Sequence, residues 1–334
     1  MEKEKPHNAL SKIKVTPLAA ESFGVRSMCT LVETSDVAVL LDAGISLAPY
    51  RFNLPPHPVE FQTIARLRKT LAEAADKAQV TTISHYHFDH HTPSFEDWVV
   101  NWTEDGETAR QIYQNKTVLM KNPREKINAS QRQRAWLFQK TGGKYAKKLE
   151  AADGKTFTYG NTTLRFSEPV AHGSEDSMLG WVTMAVVEHE AERFMFAPDV
   201  QGPMSNHTLE LIKAVEPTVI MLGGPPFYLG GFRVELAKLE QGLRNLESIV
   251  QTVPVVILEH HALRDELWRQ KIGEIYLKVS AVGHSIVTAA EYAGSENLFL
   301  ESRRKQLYRD HPPSDEFKQW MKTLNNKKIA KPPI

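Results

Sequence analysis

The sequence predicts a mixed α/β (α+β) protein, because short β-rich segments alternate with helices along most of the chain. Apolar residues recur at helical spacing from Phe61 to Ala75 and again from Leu236 to Val250. Each of these helices leads into a short apolar segment rich in β-branched residues, which is typical of a buried strand. The predicted strands are 13–17, 29–33, 37–41, 80–83, 162–166, 181–187, 194–197, 218–222 and 255–258.

The composition predicts a folded protein in a reducing compartment. The 334 residues include 41 Lys or Arg and 40 Asp or Glu, so the chain is nearly neutral, and its length is sufficient for a sizeable core. The single cysteine, Cys29, has no partner for an intrachain disulfide, so we expect a cytoplasmic protein. The N-terminus lacks the apolar run of a signal peptide, and glycine and proline interrupt the longest uncharged stretch, 217–232. We therefore expect no membrane association.

Charge is segregated along the sequence. Residues 115–148 contain ten Lys or Arg but one acid, Glu125, and so carry a net charge of +9, whereas the remainder has 31 basic and 39 acidic residues. Two interpretations are open: a solvated helical face, or a surface for an anionic partner such as nucleic acid. The second makes Arg132 and Arg134 candidate substrate-binding residues.

The most informative segment is Ser84–Pro93, which contains four of the thirteen histidines and directly follows a predicted strand. His85 and His87, two apart on extended backbone, project to the same side and are able to share a metal ion. Asp89 and His90 follow as the chain turns, and they offer a carboxylate and an imidazole to a second ion. This ligand set suits Zn²⁺, with Mn²⁺ and iron as alternatives.

The His-x-His-x-Asp-His spacing resembles the signature of the metallo-β-lactamase superfamily. The resemblance implies three further ligands at later strand ends, in the order His, Asp, His. His172 matches the third imidazole of the first ion, and Asp199 matches the carboxylate that bridges both ions. The last ligand is His260 or His261. His260 is favoured, because its spacing to Arg264 is similar to that in transfer-RNA-processing members of the superfamily.

Upstream, the resemblance implies that Asp42, at the end of a predicted strand, orients a metal-bound histidine and does not itself bind an ion. A carboxylate that makes a turn before Gly44 is an equally open interpretation of this residue alone. His91 directly follows a ligand and is a candidate supporting residue or proton donor. We expect Asp89 and His91 to be the catalytic residues.

These ligands imply a metal-dependent hydrolase with two zinc ions about 3.5–4 Å apart and a metal-bound hydroxide that attacks phosphorus or a carbonyl carbon. The basic segment favours an anionic ester substrate, small or nucleic acid, and a phosphodiester in particular. One alternative is a mononuclear iron oxidoreductase of the dioxygenase type. Di-iron redox members replace the second histidine of the signature with glutamate, whereas this chain has His87. The other alternative is a non-catalytic nucleic-acid-binding protein.

The resemblance also predicts a four-layer αββα sandwich, with two mixed sheets face to face, helices outside and the metals at one open edge. We expect one metallo-β-lactamase-like domain over 1–334, with a basic helical insertion at about 94–150 and loose termini at about 1–10 and 323–334. Residues beyond Arg264 are expected to form further helix packed on this domain. Segments 21–29 and 89–93 are similar to an uncharacterised, largely archaeal branch of the superfamily, from which no substrate follows.

Overall fold

The computed structural model describes residues 9–324 and 330–334. Its strands are β1 (Lys14–Ala20), β2 (Met28–Glu33), β3 (Ala38–Leu41), β4 (Val80–Ile83), β5 (Thr117–Met120), β6 (Lys148–Ala151), β7 (Thr156–Tyr159), β8 (Thr162–Phe166), β9 (Val170–Ala171), β10 (Trp181–Val182), β11 (Ala185–His189), β12 (Glu192–Ala197), β13 (Val219–Gly223), β14 (Val255–Glu259) and β15 (Ser285–Val287). Its α-helices are α1 (Pro58–Lys77), α2 (Glu107–Tyr113), α3 (Ala129–Lys140), α4 (Asn206–Val215), α5 (Leu236–Thr252), α6 (Trp268–Lys271), α7 (Gly273–Ala281), α8 (Ala289–Tyr292), α9 (Arg304–Asp310) and α10 (Asp315–Met321).

Two large mixed sheets organise these elements. The first has the strand order β1–β2–β3–β4–β5–β6, antiparallel from β1 to β3 and parallel from β3 to β6. The second has the order β15–β14–β13–β12–β11–β8–β7, in which β12 to β15 are parallel. Strands β13 and β14 are buried along their whole length, which explains why they are continuous apolar runs in the sequence.

Alternate residues of the strands enter different hydrophobic clusters. Val39 and Leu41 of β3 pack between the sheets with Phe194 and Phe196 of β12. Leu40, on the opposite face of β3, packs in the cluster that contains the apolar stripe of α1. The outer face of the second sheet packs on α4 and α5. The layers are therefore helix, sheet, sheet and helix, and the predicted αββα sandwich is confirmed.

Local signals define α1, the helix that covers the first sheet. Pro58 occupies its first turn, and His57 and Glu60 form a capping box at its start. Glu60 is also buried, and it accepts hydrogen bonds from Nε and Nη2 of Arg304, both at 2.8 Å. This ion pair attaches α9, near the end of the chain, to the helix layer of the first sheet.

Segment 94–150 differs from the helical insertion that its basic residues suggested. It contains α2 and α3, but also β5 and β6, which extend the first sheet beyond β4. The apolar side chains of β5 are buried, so sheet pairing determines its conformation in spite of the basic flanks. Lys116 and Lys121 are buried too: Lys116 Nζ donates to the carbonyl of Ala78, and Lys121 Nζ donates to Asp153. Part of the +9 charge is therefore held inside the fold.

The ends of the chain were predicted to be loose. Residues 1–8 and 325–329 lie outside the described residues, whereas Leu10 is buried and Trp320 Nε1 donates to the carbonyl of Ala330 at 2.7 Å. Beyond Arg264 the chain adds helices, as expected, but also β15, which pairs with β14. This strand was not predicted because it is three residues long. Among the described helices, none has the length and apolar character needed to cross a bilayer.

Candidate metal centre

The predicted site residues meet at one edge of the two sheets. Asp42 follows β3, His85 follows β4, His172 follows β9, Asp199 follows β12 and His260 follows β14. Because the carboxyl ends of parallel strands lie at the same edge, residues far apart in sequence converge there. Two glycines permit the close backbone approach: a Cβ at Gly44 would lie 2.2 Å from the backbone nitrogen of His91, and one at Gly223 would lie 2.6 Å from that of Asp199.

Asp199 lies at the centre of the cluster, and its two carboxylate oxygens face different histidines. Oδ2 lies 3.0 Å from His172 Nε2, 3.2 Å from His85 Nε2, 3.3 Å from His90 Nε2 and 3.9 Å from His87 Nδ1. Oδ1 lies 3.0 Å from His260 Nε2 and 3.2 Å from His261 Nε2. One carboxylate therefore connects two groups of imidazoles.

Three buried polar atoms of this cluster have no hydrogen-bond partner among the described residues: His90 Nε2, His172 Nε2 and Asp199 Oδ1. Buried polar groups are nearly always satisfied in proteins, so these atoms call for an explanation. The Nε2 atoms of His90, His172 and His260 lie 3.0–3.3 Å from an oxygen of Asp199, but without the angles of a hydrogen bond. A cation between such a nitrogen and oxygen would be bound by a lone pair of each. Ligand atoms lie within 4.8 Å of one another in four groups: His85, His87, His172 and Asp199; Asp42, His85 and His90; Asp89, His90 and His260; and Asp199, His260 and His261. The buried cluster therefore fits a metal site.

The charge states within the cluster differ from one imidazole to the next. Burial, together with the neighbouring His90, lowers the pKa of His85 well below its ordinary value, so this imidazole is neutral. Burial alone would raise the pKa of Asp199, but His260 and His172 hold it well below its usual range. Burial alone would lower the pKa values of His90 and His260, but Asp199 raises that of His90 well above its ordinary value and that of His260 to about 9, so both imidazoles are protonated beside the ionised carboxylate. A cation that binds them would displace these protons, because imidazole binds a metal in its neutral form.

Asp42 orients His90 through Nδ1, the ring nitrogen that faces away from Asp199. His90 Nδ1 donates to Asp42 Oδ2 at 2.8 Å, and the backbone N–H of Ser84 donates to Oδ1 at 2.8 Å. The hydroxyls of Ser84 and Thr82 donate to the same carboxylate. These contacts leave Nε2 of His90 facing Asp199, as is common for carboxylates behind metal-binding histidines.

A second supporting carboxylate, Glu21, was missed by the sequence analysis. Its Oε2 lies 2.9 Å from His260 Nδ1, and its Oε1 accepts a hydrogen bond from Arg264 Nε at 2.7 Å. Glu21 lies in the 3-10 turn Glu21–Phe23 after β1, 239 positions before His260. No local spacing connects the two, and the one available signal was an acid directly after the apolar end of a strand.

The structure distinguishes His260 from His261. With its Nδ1 held by a carboxylate, His260 presents Nε2 to Asp199 and, at 3.5 Å, to Asp89 Oδ2. His261 Nδ1 instead lies 3.1 Å from the hydroxyl of Tyr228, and its Nε2 faces Asp199. The side chain of His260 is 1% exposed and that of His261 is 11% exposed. His260 thus has the surroundings of a buried ligand, and His261 those of a residue in a cavity wall.

Asp89 lies between the cluster and the solvent. Its Oδ2 is 3.5 Å from His260 Nε2 and 3.7 Å from Arg264 Nη2, and its side chain is 16% exposed. Burial alone would raise the pKa of Asp89, but the charges of His90 and His260 hold it well below its ordinary value. Asp89 is therefore an ionised carboxylate that faces both the cluster and the cavity.

The structure does not bring His91 to the cluster, contrary to the prediction that it is catalytic. Its Nδ1 donates to the backbone carbonyl of His87 at 2.9 Å, and its ring packs against Phe88 and Phe138. Since His90 points inward, the next residue of this tight turn points to the opposite side. Burial lowers the pKa of His91 to about 3, so the ring is neutral.

A cavity of about 320 Å³ opens over the cluster. Its wall combines cluster residues with three arginines: His87, Asp89, His172, Asp199, His261, Arg26, Arg134 and Arg264. Two of the arginines are neutralised, since Arg26 donates twice to Glu301, at 2.6 and 2.7 Å, and Arg264 donates to Glu21. The remaining cation of this wall is Arg134.

Arg134 and Arg132, the two predicted substrate-binding residues, lie in different surroundings. Arg134 is half-buried, its guanidinium lies 4.8 Å from the ring centroid of Phe88, and it forms no ion pair with any residue that the structure describes. Arg132 is exposed and is not part of the cavity wall. The structure thus places one of the two at the site.

Three residues of the cluster have left-handed backbone conformations, with φ of 48° at Asp42, 51° at Asp199 and 64° at His260. Such conformations cost non-glycine residues on the order of 1–3 kcal/mol each, and they concentrate at functional sites. Each lies at a strand end, where the chain must turn sharply for the side chain to face the cluster.

Comparisons with known proteins find relatives of this chain among sequences and among solved structures. No family model matches the chain. The chain is 42% identical over 295 residues to a UPF0282 protein of Methanopyrus kandleri, which covers 88% of this chain and 99% of the relative. It is 41% identical over 298 residues to a UPF0282 protein of Thermococcus gammatolerans, covering 89% of this chain and 95% of the relative. Among solved structures, it is similar to the metallo-beta-lactamase fold protein YhfI from Bacillus subtilis, with 13% identity, coverage of 83% of this chain and 96% of that chain, and a TM-score of 0.47.

The predicted resemblance to a largely archaeal branch is confirmed, because both of these relatives are archaeal proteins of one family. The two facing mixed sheets, the outer helices and the cluster at their shared edge are the arrangement that the resemblance to the metallo-β-lactamase superfamily predicted. By identity and coverage, the chain belongs to the UPF0282 family.

Proposed function

We propose that the protein is a metal-dependent hydrolase that holds two divalent cations and acts on an anionic ester, in particular a phosphodiester. The observation that carries the proposal is the position of Asp199, whose Oδ2 lies 3.0 Å from His172 Nε2 and whose Oδ1 lies 3.0 Å from His260 Nε2, so that one carboxylate reaches both ligand sets. His90, assigned to the second set, faces Oδ2 at 3.3 Å. In this assignment His85, His87 and His172 hold one ion, Asp89, His90 and His260 hold the other, and Asp199 is shared. Zinc is the expected metal, with manganese and iron as alternatives.

When bound, two such ions would supply Lewis acidity and lower the pKa of a coordinated water. The protein's own contribution is orientation and exclusion of bulk water. Asp42 and Glu21 hold the Nδ1 atoms of His90 and His260, so that both Nε2 atoms face Asp199. The two histidines are fully buried, so solvent does not compete for these nitrogens.

The arginines around the cluster support an anionic substrate. Arg264 donates to Glu21, the carboxylate that also contacts His260 Nδ1, and so helps to position His260. Arg134 has no anionic partner among the residues placed in the structure. A guanidinium beside a metal centre favours an oxyanion, because its planar donors match carboxylate and phosphate oxygens. Arg134 is therefore the residue that we assign to the substrate anion.

The experiment that tests this proposal removes the shared carboxylate. The variant Asp199→Ala should lose bound metal and should hydrolyse bis(p-nitrophenyl) phosphate at least about 100-fold more slowly. Loss of a residue that merely hydrogen-bonds a metal ligand already lowers metal affinity or activity by about 10–100-fold. Asp105→Ala, which removes an exposed carboxylate from a loop, is the matched control and should retain both properties. Full activity in Asp199→Ala would refute the assignment.

A further inference from the structure

A second cavity, of about 500 Å³, lies next to the metal centre. Its volume falls within the range of about 300–1,000 Å³ that is typical of small-ligand sites. Arg264 belongs to the walls of both cavities. Tyr228 and His261 separate them: the Tyr228 hydroxyl lies 3.1 Å from His261 Nδ1, and the two rings are stacked with centroids 6.2 Å apart. Because His261 Nε2 is 3.2 Å from Asp199 Oδ1, the stacked rings of Tyr228 and His261 separate this cavity from the cluster.

Arg51 lies against two aromatic rings in the wall of this cavity. Its guanidinium carbon lies 4.7 Å from the ring centroids of both Phe52 and Tyr228. Its Nη2 donates to the carbonyl of Arg264 at 3.0 Å, whereas its Nε is buried and has no hydrogen-bond partner in the described part of the chain. The nearest carboxylate, Glu301 Oε1, is 3.9 Å from Nε. The guanidinium therefore has no carboxylate within hydrogen-bond distance among the described residues, and its charge would stabilise an anion in the cavity.

Lys305, from α9, adds a further cation to the same wall, which also contains Arg264, paired with Glu21, and Arg309, paired with Asp310. The Nζ of Lys305 lies 4.9 Å from the ring centroid of Phe52, and it forms no ion pair with a residue in 9–324 or 330–334. Of the two acids in the wall, Asp265 is paired with Lys271 at 2.6 Å. Glu266 is exposed and is the acid of this wall that forms no ion pair among the described residues. Cations therefore outnumber free carboxylates around the cavity.

We propose that this cavity is a second subsite, which binds a phosphate group of the substrate while the scissile ester lies at the metal centre. The inference rests on the proposed function and extends it: the natural substrate carries an anionic phosphate on each side of the stacked Tyr228 and His261 rings. Arg51 supplies a preorganised guanidinium, with its orientation fixed by two aromatic rings, and Lys305 supplies a point charge. A simple phosphodiester with one anionic group leaves this subsite empty.

The test measures binding of inorganic phosphate to the full-length chain by isothermal titration at constant ionic strength. The Asp199→Ala variant, which here also carries Arg134→Ala, serves as the background, so that neither bound metal nor Arg134 at the metal centre contributes to phosphate binding. Lys305→Gln is the main perturbation, because Lys305 is exposed and its replacement leaves the core intact. Arg51→Gln is the second perturbation. Arg303→Gln is the matched control, because it removes the same charge next to the same helix but its side chain lines a different cavity.

The expected result is one phosphate per chain in this background, weakened about ten-fold or more by Lys305→Gln or by Arg51→Gln, as expected for loss of a charge-assisted contact. Arg303→Gln should change the affinity by less than about two-fold, because an exposed charge further away is screened. Absence of saturable binding in the background, or equal binding by the Lys305→Gln and Arg303→Gln variants, would overturn the inference. Metal content of the background variant, measured on the same samples, tests the proposed function separately.

Discussion

Replacement of Asp42 by asparagine tests whether a carboxylate that binds no ion itself controls metal binding. Asparagine tolerates the left-handed backbone of this position, where φ is 48°, so the turn is retained. Its amide oxygen is still able to accept the N–H of Ser84, but its NH₂ group then faces Nδ1 of His90. Two donors cannot share this contact, so His90 must move its proton to Nε2 or rotate. Either change removes the lone pair that faces Asp199.

The size of the effect follows from these contacts. Loss of a partner behind a metal-binding histidine typically weakens metal binding by about 10–100-fold, which corresponds to roughly 1.4–2.7 kcal/mol. The hydrogen bonds from Ser84 and Thr82 are partly retained, so the free energy of unfolding without metal should fall by only about 1 kcal/mol. Metal affinity should therefore decrease more than stability does.

Competition with a chromophoric chelator measures this effect. Asp36→Asn is the matched control, because Asp36 likewise accepts hydrogen bonds from Asn161 and Thr162 and lies 3.5 Å from His189 Nδ1, but away from the cluster. We expect the Asp36→Asn variant to bind metal as the wild-type protein does. Equal metal affinity in the Asp42→Asn and wild-type proteins would refute the orienting role of Asp42.

Two further changes test the substrate site and the scaffold. Arg134→Ala should raise KM for bis(p-nitrophenyl) phosphate about ten-fold, with kcat little changed, because the uncompensated guanidinium of the cavity is lost; the exposed Lys140→Ala on the same helix is the control, and identical kinetics in both would contradict the role of Arg134. Arg304→Ala should lower the free energy of unfolding by about 3–5 kcal/mol in chemical denaturation, because Glu60 is left buried without its partner. The exposed Arg303→Ala should change it by less than about 0.5 kcal/mol, and equal effects of the two would contradict a stabilising pair.

The sequence was most informative where the ligands are neighbours in the chain. His85 to His90 lie within six residues after one strand, so their spacing alone indicates metal binding. The later ligands lie at strand ends, where an apolar run that stops at a polar residue is readable. Glu21 could not be found in this way, because only the packing of the turn after β1 against the turn after β14 brings it to His260. The pairing is a property of tertiary structure.

Side-chain direction was the second feature that the sequence did not predict. Arg132 and Arg134 are two positions apart on α3, which rotates their directions by about 200°, so one faces the cavity and the other faces solvent. Which of them faces inward depends on how α3 is docked, and the charge count carries no such information. The same applies to His91, whose orientation follows from the inward position of His90 in a tight turn.

Metal content of the protein purified without chelator or added metal tests the central claim most directly. Measured by elemental analysis against protein concentration, it should give two zinc or manganese ions per wild-type chain and fewer than one per chain in Asp199→Ala. A single iron per wild-type chain, or a metal content that Asp199→Ala leaves unchanged, would contradict a dinuclear centre shared through Asp199.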